Sequence, residues 1–183
     1  MAVQGIYVKL YNVDNLFLIK ATFSYAMNSQ VKDLIEDPSV INYKEWWLLS
    51  EDEEESILLA IFSFYDIGDV PSDYLNRMNS SQVNKLQLLS LISLCETSSE
   101  ITYDDVKRKC NVTSDDSVEN LLIRAEQFID LKIDSVKRNI TINKHKASRD
   151  IYCGEPNIPF HSPSRSKAHL LSMLKKWRDD ISE

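Results

Sequence analysis

Glycine is scarce in this chain: among 183 residues there are three, Gly5, Gly68 and Gly154. Phosphate loops, dinucleotide fingerprints and turn-rich barrels need several permissive backbone positions at set spacings, so nucleotide binding by those devices is excluded. Cysteine is nearly as rare. Cys95, Cys110 and Cys153 are an odd number at wide spacing, without the rhythm of a disulfide framework. They suit a reducing compartment, with Cys95 and Cys110 as core thiols. The histidines, His145, His161 and His169, have no second ligand at His-Glu-x-x-His or His-x-His spacing, so the motifs assemble no metal centre. Long apolar runs are missing too, since Lys20 or the serines near Leu91 interrupt them, and no segment reads as a membrane span. Residues 16–19 are too short for a secretory core and follow Asp14, so the expectation is a soluble intracellular protein. Positive charge is also in deficit: 21 Lys and Arg stand against 28 Asp and Glu, for a net charge of -7. Nucleic acids and anionic membranes usually meet a clustered basic surface, so protein partners fit better.

What is present is apolar residues in clear periods. A hydrophobic content of 43% over this length supports one real core, in one domain or one domain plus an appendage. Residues 83–95 are apolar at Val83, Leu86, Leu89 and Ile92 and again at Leu88, Leu91 and Cys95. Such a helix is wetted only near Lys85 and Gln87 and must be buried. Ser80 or Ser81 is expected to cap it, and residues 96–100 stop it with side chains that compete for the backbone. Ile101 and Thr102 then read as a short strand, residues 103–110 as a second helix and residues 111–114 as a turn. A third helix follows Ser114 or Asp115 and carries Val118, Leu121, Leu122, Ala125, Phe128 and Ile129 at three- and four-residue spacing. Leu131, Ile133 and Ser135 alternate with Lys132 and Asp134, and Ile140 and Ile142 with Thr141 and Asn143, around Lys137, Arg138 and Asn139. Helix, strand, two helices and a hairpin in this order spell a winged helix whose wing is that hairpin.

The flanking segments are simpler. Residues 1–26 fit neither period and receive no role; Met27, a second candidate start of translation, leads at once into a polar helix that breaks before Pro38. Residues 43–49 read as a short aromatic helix packed on the core. Ser50 and Glu53 match a capping box for a helix bearing Ile57, Leu58, Ile61, Phe62 and Tyr65, which Gly68 would end. Pro71 and Ser72 start a short helix with Tyr74, Leu75 and Met78, so two or three helices precede the winged helix. Residues 144–165, with Pro156, Pro159 and Pro163, read as an irregular connection in which residues 149–153 are too apolar for a free linker and lie against the domain surface. Ser164 or Ser166 caps a last helix whose Leu170, Leu174, Trp177 and Ile181 form a narrow heptad stripe, with Leu171 and Met173 beside it. That stripe implies a partner helix.

Catalytic chemistry finds little support. A Cys153 nucleophile would need His145 or His161 as its base, and the acidic pairs at residues 104–105 and 115–116 sit at helix starts, where they cap. The third helix also reads poorly as a DNA reader, because Glu119, Glu126 and Asp130 outnumber Arg124 and would repel phosphates. Lys137, Arg138, Lys144 and Lys146 of the wing keep a nucleic-acid reading as the third alternative.

With these residues in place the chain resembles the PCI-domain family, whose module of helical bundle plus winged helix serves the proteasome lid, the COP-nine signalosome and an initiation-factor complex. Val118 and Glu119 opening the third helix, Leu131 to Asp134, and Asn139 with Ile140 to Ile142 carry that likeness. Asp37-Pro38, Tyr43-Lys44-Glu45, Trp47-Leu48, Ile61 to Phe64 and residues 149–153 are similar to the small ninth-subunit family of the budding-yeast signalosome, the counterpart of subunit seven elsewhere. The resemblance implies a mainly α fold: a short helical bundle, a PCI-type winged helix with a small β-hairpin wing, and a separate C-terminal helix. The expected partition is an unassigned extension at 1–26, a PCI domain at 27–143 (helical part 27–80, winged helix 81–143), a connection at 144–165 and a helix at 166–183. It further implies a non-catalytic scaffold subunit, in cytoplasm and nucleus, supporting removal of Nedd8 (Rub1 in yeast) from cullins, with the metalloprotease in a different subunit. Expected partners are other signalosome subunits, especially PCI-containing ones, with no cofactor, small-molecule substrate, nucleic acid or membrane. Partner-binding candidates are Ile133, Asp134, Ile140 and Ile142 in the wing and Leu170, Leu174, Trp177 and Ile181 in the last helix. The alternative is an adaptor in the proteasome lid or another PCI complex.

Overall fold

A computed structural model describes residues 29–161, 163 and 165–181; the readings placed on residues 1–26 and on the Met27 start lie outside them. Among the described residues are eight α-helices, one 3-10 turn and one three-stranded sheet. Helices α1 (Ser29–Glu36), α2 (Lys44–Leu49), α3 (Glu53–Phe64) and α4 (Ser72–Leu75) precede α5 (Ser80–Cys95). Then come β1 (Glu100–Thr102), α6 (Tyr103–Cys110), α7 (Asp115–Ala125), β2 (Ile129–Asp134), β3 (Asn139–His145) and α8 (Lys167–Ile181). The architecture is the expected one, with four helices rather than two or three before the winged helix.

Helix α5 is the axis of the core: Leu86, Leu88, Leu89, Leu91 and Ile92 are all fully buried, from every side of the helix. Its cap is Asn79, whose side chain accepts from the Gln82 amide while the Gln82 side chain accepts from the Asn79 amide, and this reciprocal box displaces the expected Ser80 or Ser81. Lys85 is a second correction. Rather than wetting the helix it is 3% exposed, and its ammonium donates to the Asp37 and Pro38 carbonyls at 2.7 and 3.0 Å, closing the end of α1. Burial brings its pKa down to about 8, against the opposing pull of Asp37.

Three further expectations shift. Asp52, not Ser50, caps α3 by accepting from the Glu55 amide, while the Ser50 hydroxyl donates to the Asp52 carbonyl. Helix α3 stops at Phe64, and Gly68 lies within the 3-10 turn Ile67–Asp69. Helix α7, capped by Ser114, ends at Ala125, so Phe128 leaves it and Ile129 opens β2, pairing with His145. The apolar spacing runs on past the helix, but the antiparallel ladder to β3 satisfies more of the backbone there.

The sheet has the order β1-β3-β2, both pairings antiparallel, with Ile101 and Ile133 on either side of Ile140. The connection after β3 lies against the domain, with Asp150, Ile151 and Tyr152 half-buried, and one of its residues goes deeper. Arg149 enters the core: its Nη1 donates to Asp66 Oδ1, the Leu89 carbonyl and Ser93 Oγ at 2.9, 3.1 and 2.8 Å, and its Nη2 to the Phe62 and Tyr65 carbonyls at 3.0 Å each. The Phe62 and Tyr65 carbonyls are orphan acceptors at the end of α3, which the guanidinium satisfies as a remote C-cap. Asp150 does the converse for α2, taking the Tyr43 and Lys44 amides at 2.5 and 2.9 Å where α2 has no cap of its own. Phe160 then packs edge-on against Tyr65 and Tyr74 at 5.4 and 5.0 Å between ring centres.

Candidate partner-binding surfaces

The wing presents two kinds of candidate residue. Ile140 is fully buried and Ile142 9% exposed on the central strand β3, so both side chains belong to the chain's own core. Ile133 and Asp134 are half-buried on β2, one of the two outer strands of the sheet. Among the described residues no strand pairs with the outer side of β2, and exposed Asp130 and Lys132 punctuate that edge, as edge strands do to avoid indiscriminate pairing. What the wing leaves uncovered among the described residues is thus the outer edge of β2 with Ile133 beside it.

The hairpin tip is electrically committed. Arg138, in a left-handed conformation at φ 55, reaches Asp104 and Asp115 at 3.0 and 3.1 Å and lies over the Tyr103 ring, 5.8 Å from its centre. Asp134 accepts from the Lys137 amide at 3.0 Å, which shapes the turn, and lies 3.8 Å from the Lys137 ammonium. Asp115 is held below the usual carboxylate range chiefly by a hydrogen bond from Lys107, with Arg138 adding to it. Two of the wing cations therefore face acids of the same domain rather than solvent alone.

Helix α8 begins as part of the domain. Tyr152 and Ser166 form a parallel bridge, the Tyr152 amide donating to the Arg165 carbonyl at 2.9 Å and the Lys167 amide to the Tyr152 carbonyl at 2.7 Å. Arg165 pairs with Glu96 and also donates to the carbonyls of Arg149 and Asp150, both at 3.2 Å. Ser166 Oγ accepts from the His169 amide at 3.3 Å, as a cap does. One turn later Leu170 is half-buried at a cavity of about 230 Å³ with Leu94 and Ile151, whereas Leu171 and Leu174 are 48% and 57% exposed. The side chains of Trp177 and Ile181 lie outside the described residues, although their backbone is helical. The stripe therefore divides between a first turn that anchors on the domain and a continuation that presents leucines outward.

Sequence reasoning missed one surface. The aromatic segment was expected to pack on the core, yet only Tyr43 and Trp47 do so; Trp46, Leu48 and Leu49 point away from it. The four-residue spacing of Tyr43 and Trp47 is the signal that would have found this, since a six-residue helix with those two inward must turn its other apolar residues outward.

No group of three or more His, Cys, Asp or Glu able to hold a metal ion occurs among the described residues. No described helix is long and apolar enough to cross a membrane.

Comparison with known proteins gives this arrangement a context. The PCI domain family model matches residues 70–144. The chain is 49% identical over 157 residues to COP9 signalosome complex subunit 9 of Kluyveromyces lactis, covering 86% of this chain and 99% of that protein. It is 29% identical over 158 residues to the protein of the same name in Saccharomyces cerevisiae, and 30% identical over 162 residues to that of Eremothecium gossypii. These two alignments take in 86% and 85% of this chain and 96% of each relative.

Proposed function

The chain belongs to the family of COP9 signalosome complex subunit 9 proteins, with a PCI domain in it, and from that premise we propose that it is a structural subunit of a signalosome. In this reading it catalyses nothing itself. It holds neighbouring subunits in the geometry in which a different, metalloprotease subunit removes Nedd8 or Rub1 from cullins, in the cytoplasm and nucleus. Residues 27–143 form the PCI domain of this reading and residues 166–183 its assembly helix.

The observation that carries the reading is the 49% identity extending over 99% of the Kluyveromyces protein. The surfaces suit it. The side of β2 that is unpaired among the described residues can accept a strand from a neighbouring winged helix, adding backbone hydrogen bonds that demand no particular side chain. The outward leucines of α8 can enter a helical bundle, where each buried large apolar residue contributes roughly 1.5 to 3 kcal/mol before ordering costs.

The experiment is deletion in the source cell with cullins followed by immunoblot. Modified cullins should accumulate on deletion and return to normal when the chain is restored, while the purified chain alone should leave a Rub1-conjugated cullin intact. An unchanged ratio of modified to unmodified cullin in the deletion strain would withdraw the signalosome assignment, and cleavage by the pure chain would withdraw the non-catalytic role.

A further inference from the structure

The outer face of α2 has no part in the surfaces just described. Trp46, Leu48 and Leu49 are 49%, 59% and 77% exposed, three large apolar side chains within four consecutive positions. Singly such residues need no explanation, but together on one short helix they form a patch of the kind that marks an interaction site. The helix beneath them is firmly held. Trp47 packs edge-on against Phe64 at 5.1 Å, Asp150 caps the start, and Lys44 pairs with Glu155. The face is therefore presented by a fixed scaffold, so docking on it costs little ordering of the receptor.

Among the described residues the exposed charges on this helix and just after it are acidic, and the helix's own cation, Lys44, is held by Glu155. Glu45 lies one turn from Leu48 and Leu49 on the same helix, and Glu51, Glu53 and Glu54 follow directly; all four are exposed. Among the described residues none of these four is paired with a cation. Helix dipoles make Glu53 and Glu54 comfortable at the start of α3 but leave their field facing outward. A second copy of the chain would bring two such rims together across an isologous contact, where like charges oppose association. An anionic lipid surface meets the same repulsion. A protein helix with an apolar face and lysines or arginines beside it meets complementary charge around an apolar centre.

We propose that the outer face of α2, with Trp46, Leu48 and Leu49 inside a rim of Glu45, Glu51, Glu53 and Glu54, is a docking site for a cationic amphipathic helix of another protein. It is distinct from the edge of β2 and from α8.

The test titrates the full chain by calorimetry with a synthetic helix bearing leucines on one face and lysines beside them, and with the same peptide carrying glutamates for lysines. The lysine peptide should bind at least about tenfold more tightly than the glutamate peptide, and more weakly at about 0.5 M salt. Trp46→Ser/Leu48→Ser/Leu49→Ser and Glu45→Lys/Glu51→Lys/Glu54→Lys should each weaken the lysine peptide by about tenfold or more. Both variants alter exposed side chains and should melt with the wild type, which circular dichroism would verify. Equal binding of the two peptides, or binding that neither variant weakens, overturns the proposal. It is equally overturned by a wild-type dimer that the serine variant dissolves, or by binding that appears only after residues 1–26 are removed. The first would make a second copy the occupant, and the second the chain's own N-terminus.

Discussion

Arg149 and Asp66 meet at 2.9 Å with both side chains almost wholly out of water, and the other Asp66 oxygen takes Lys109 at 2.6 Å. One carboxylate thus joins the turn after α3, the helix α6 and the connection that follows the wing. Because Arg149 also closes the carbonyls of Phe62, Tyr65 and Leu89, the ion pair is the hinge pin between the helical part and the winged helix.

Breaking that pair should be costly and non-additive. Arg149→Met leaves the buried carboxylate with Lys109 as its remaining cation and several carbonyls without their donor, and Asp66→Asn leaves a buried guanidinium without its anion. Each should cost about 3–5 kcal/mol, lowering the melting temperature by roughly 2–4 °C for each kcal/mol. The double variant should lose clearly less than the two single losses combined, since once one partner is gone the other is already destabilising. Thermal melts of all four forms measure this, and strict additivity would show that the two residues act separately.

The same carboxylate predicts a pH limb. Burial opposes ionisation of Asp66, but Arg149 and Lys109 outweigh it and hold the carboxyl below its ordinary value. A folded-state pKa below the unfolded one means that the unfolded chain binds the proton more readily as the solution is acidified. The stabilisation is therefore complete above the unfolded value, about 4, and is lost as pH falls through the lower folded value. The gap in melting temperature between wild type and Asp66→Asn should be wide at neutral pH and narrow in the acid limb below the unfolded value. A gap that stays constant through that limb would mean that Asp66 does not titrate there.

Duplex DNA should not bind tightly. Arg138 is engaged by Asp104 and Asp115, Lys137 lies near Asp134, and α7 exposes Glu126 at its end. Few phosphates could be neutralised, so counterion release would contribute little. Fluorescence anisotropy with a labelled duplex near physiological salt should show no saturation at micromolar protein. Tight binding that Lys137→Glu/Arg138→Glu abolishes would restore the nucleic-acid reading.

Much of the fold was legible because its signals are local. The alternation in β2 and β3, the all-round apolar character of α5 and the cap of α7 each lie within a single segment, and periodicity reads a single segment well. What escaped depends on distant partners. Arg149 is 83 residues from Asp66, and Asp150 is 107 from the Tyr43 amide, so nothing nearby reveals that one caps α3 and the other α2. Lys85 was read as wet for the same reason, its acceptors lying 47 and 48 residues away. The wing candidates expose another limit. Ile140 and Ile142 are apolar because they are buried in their own domain, and an alternating pattern alone does not separate that burial from burial against a partner.

The division within α8 yields the sharpest prediction. Leu170 shares its cavity with Leu94 and Ile151, and the backbone just before it is bridged to Tyr152, so the first turn belongs to the domain. Leu171 and Leu174, about half-exposed, gain nothing from the fold that would explain them. Leu170→Ala should therefore cost about 1 kcal/mol or more, because it removes buried methyl groups beside an existing cavity. Leu171→Asp/Leu174→Asp should stay within about 0.5 kcal/mol for each site, yet sharply reduce recovery with the other signalosome subunits, since a charged stripe cannot enter an apolar bundle without heavy desolvation. Leu174→Ala/Trp177→Ala should act in the same direction on assembly, by removing apolar contact rather than adding charge. Melting and co-purification of the same three proteins separate the two roles. A large loss of stability in Leu171→Asp/Leu174→Asp would show that this part of the helix packs on its own domain, and unchanged recovery would show that the stripe is not the contact.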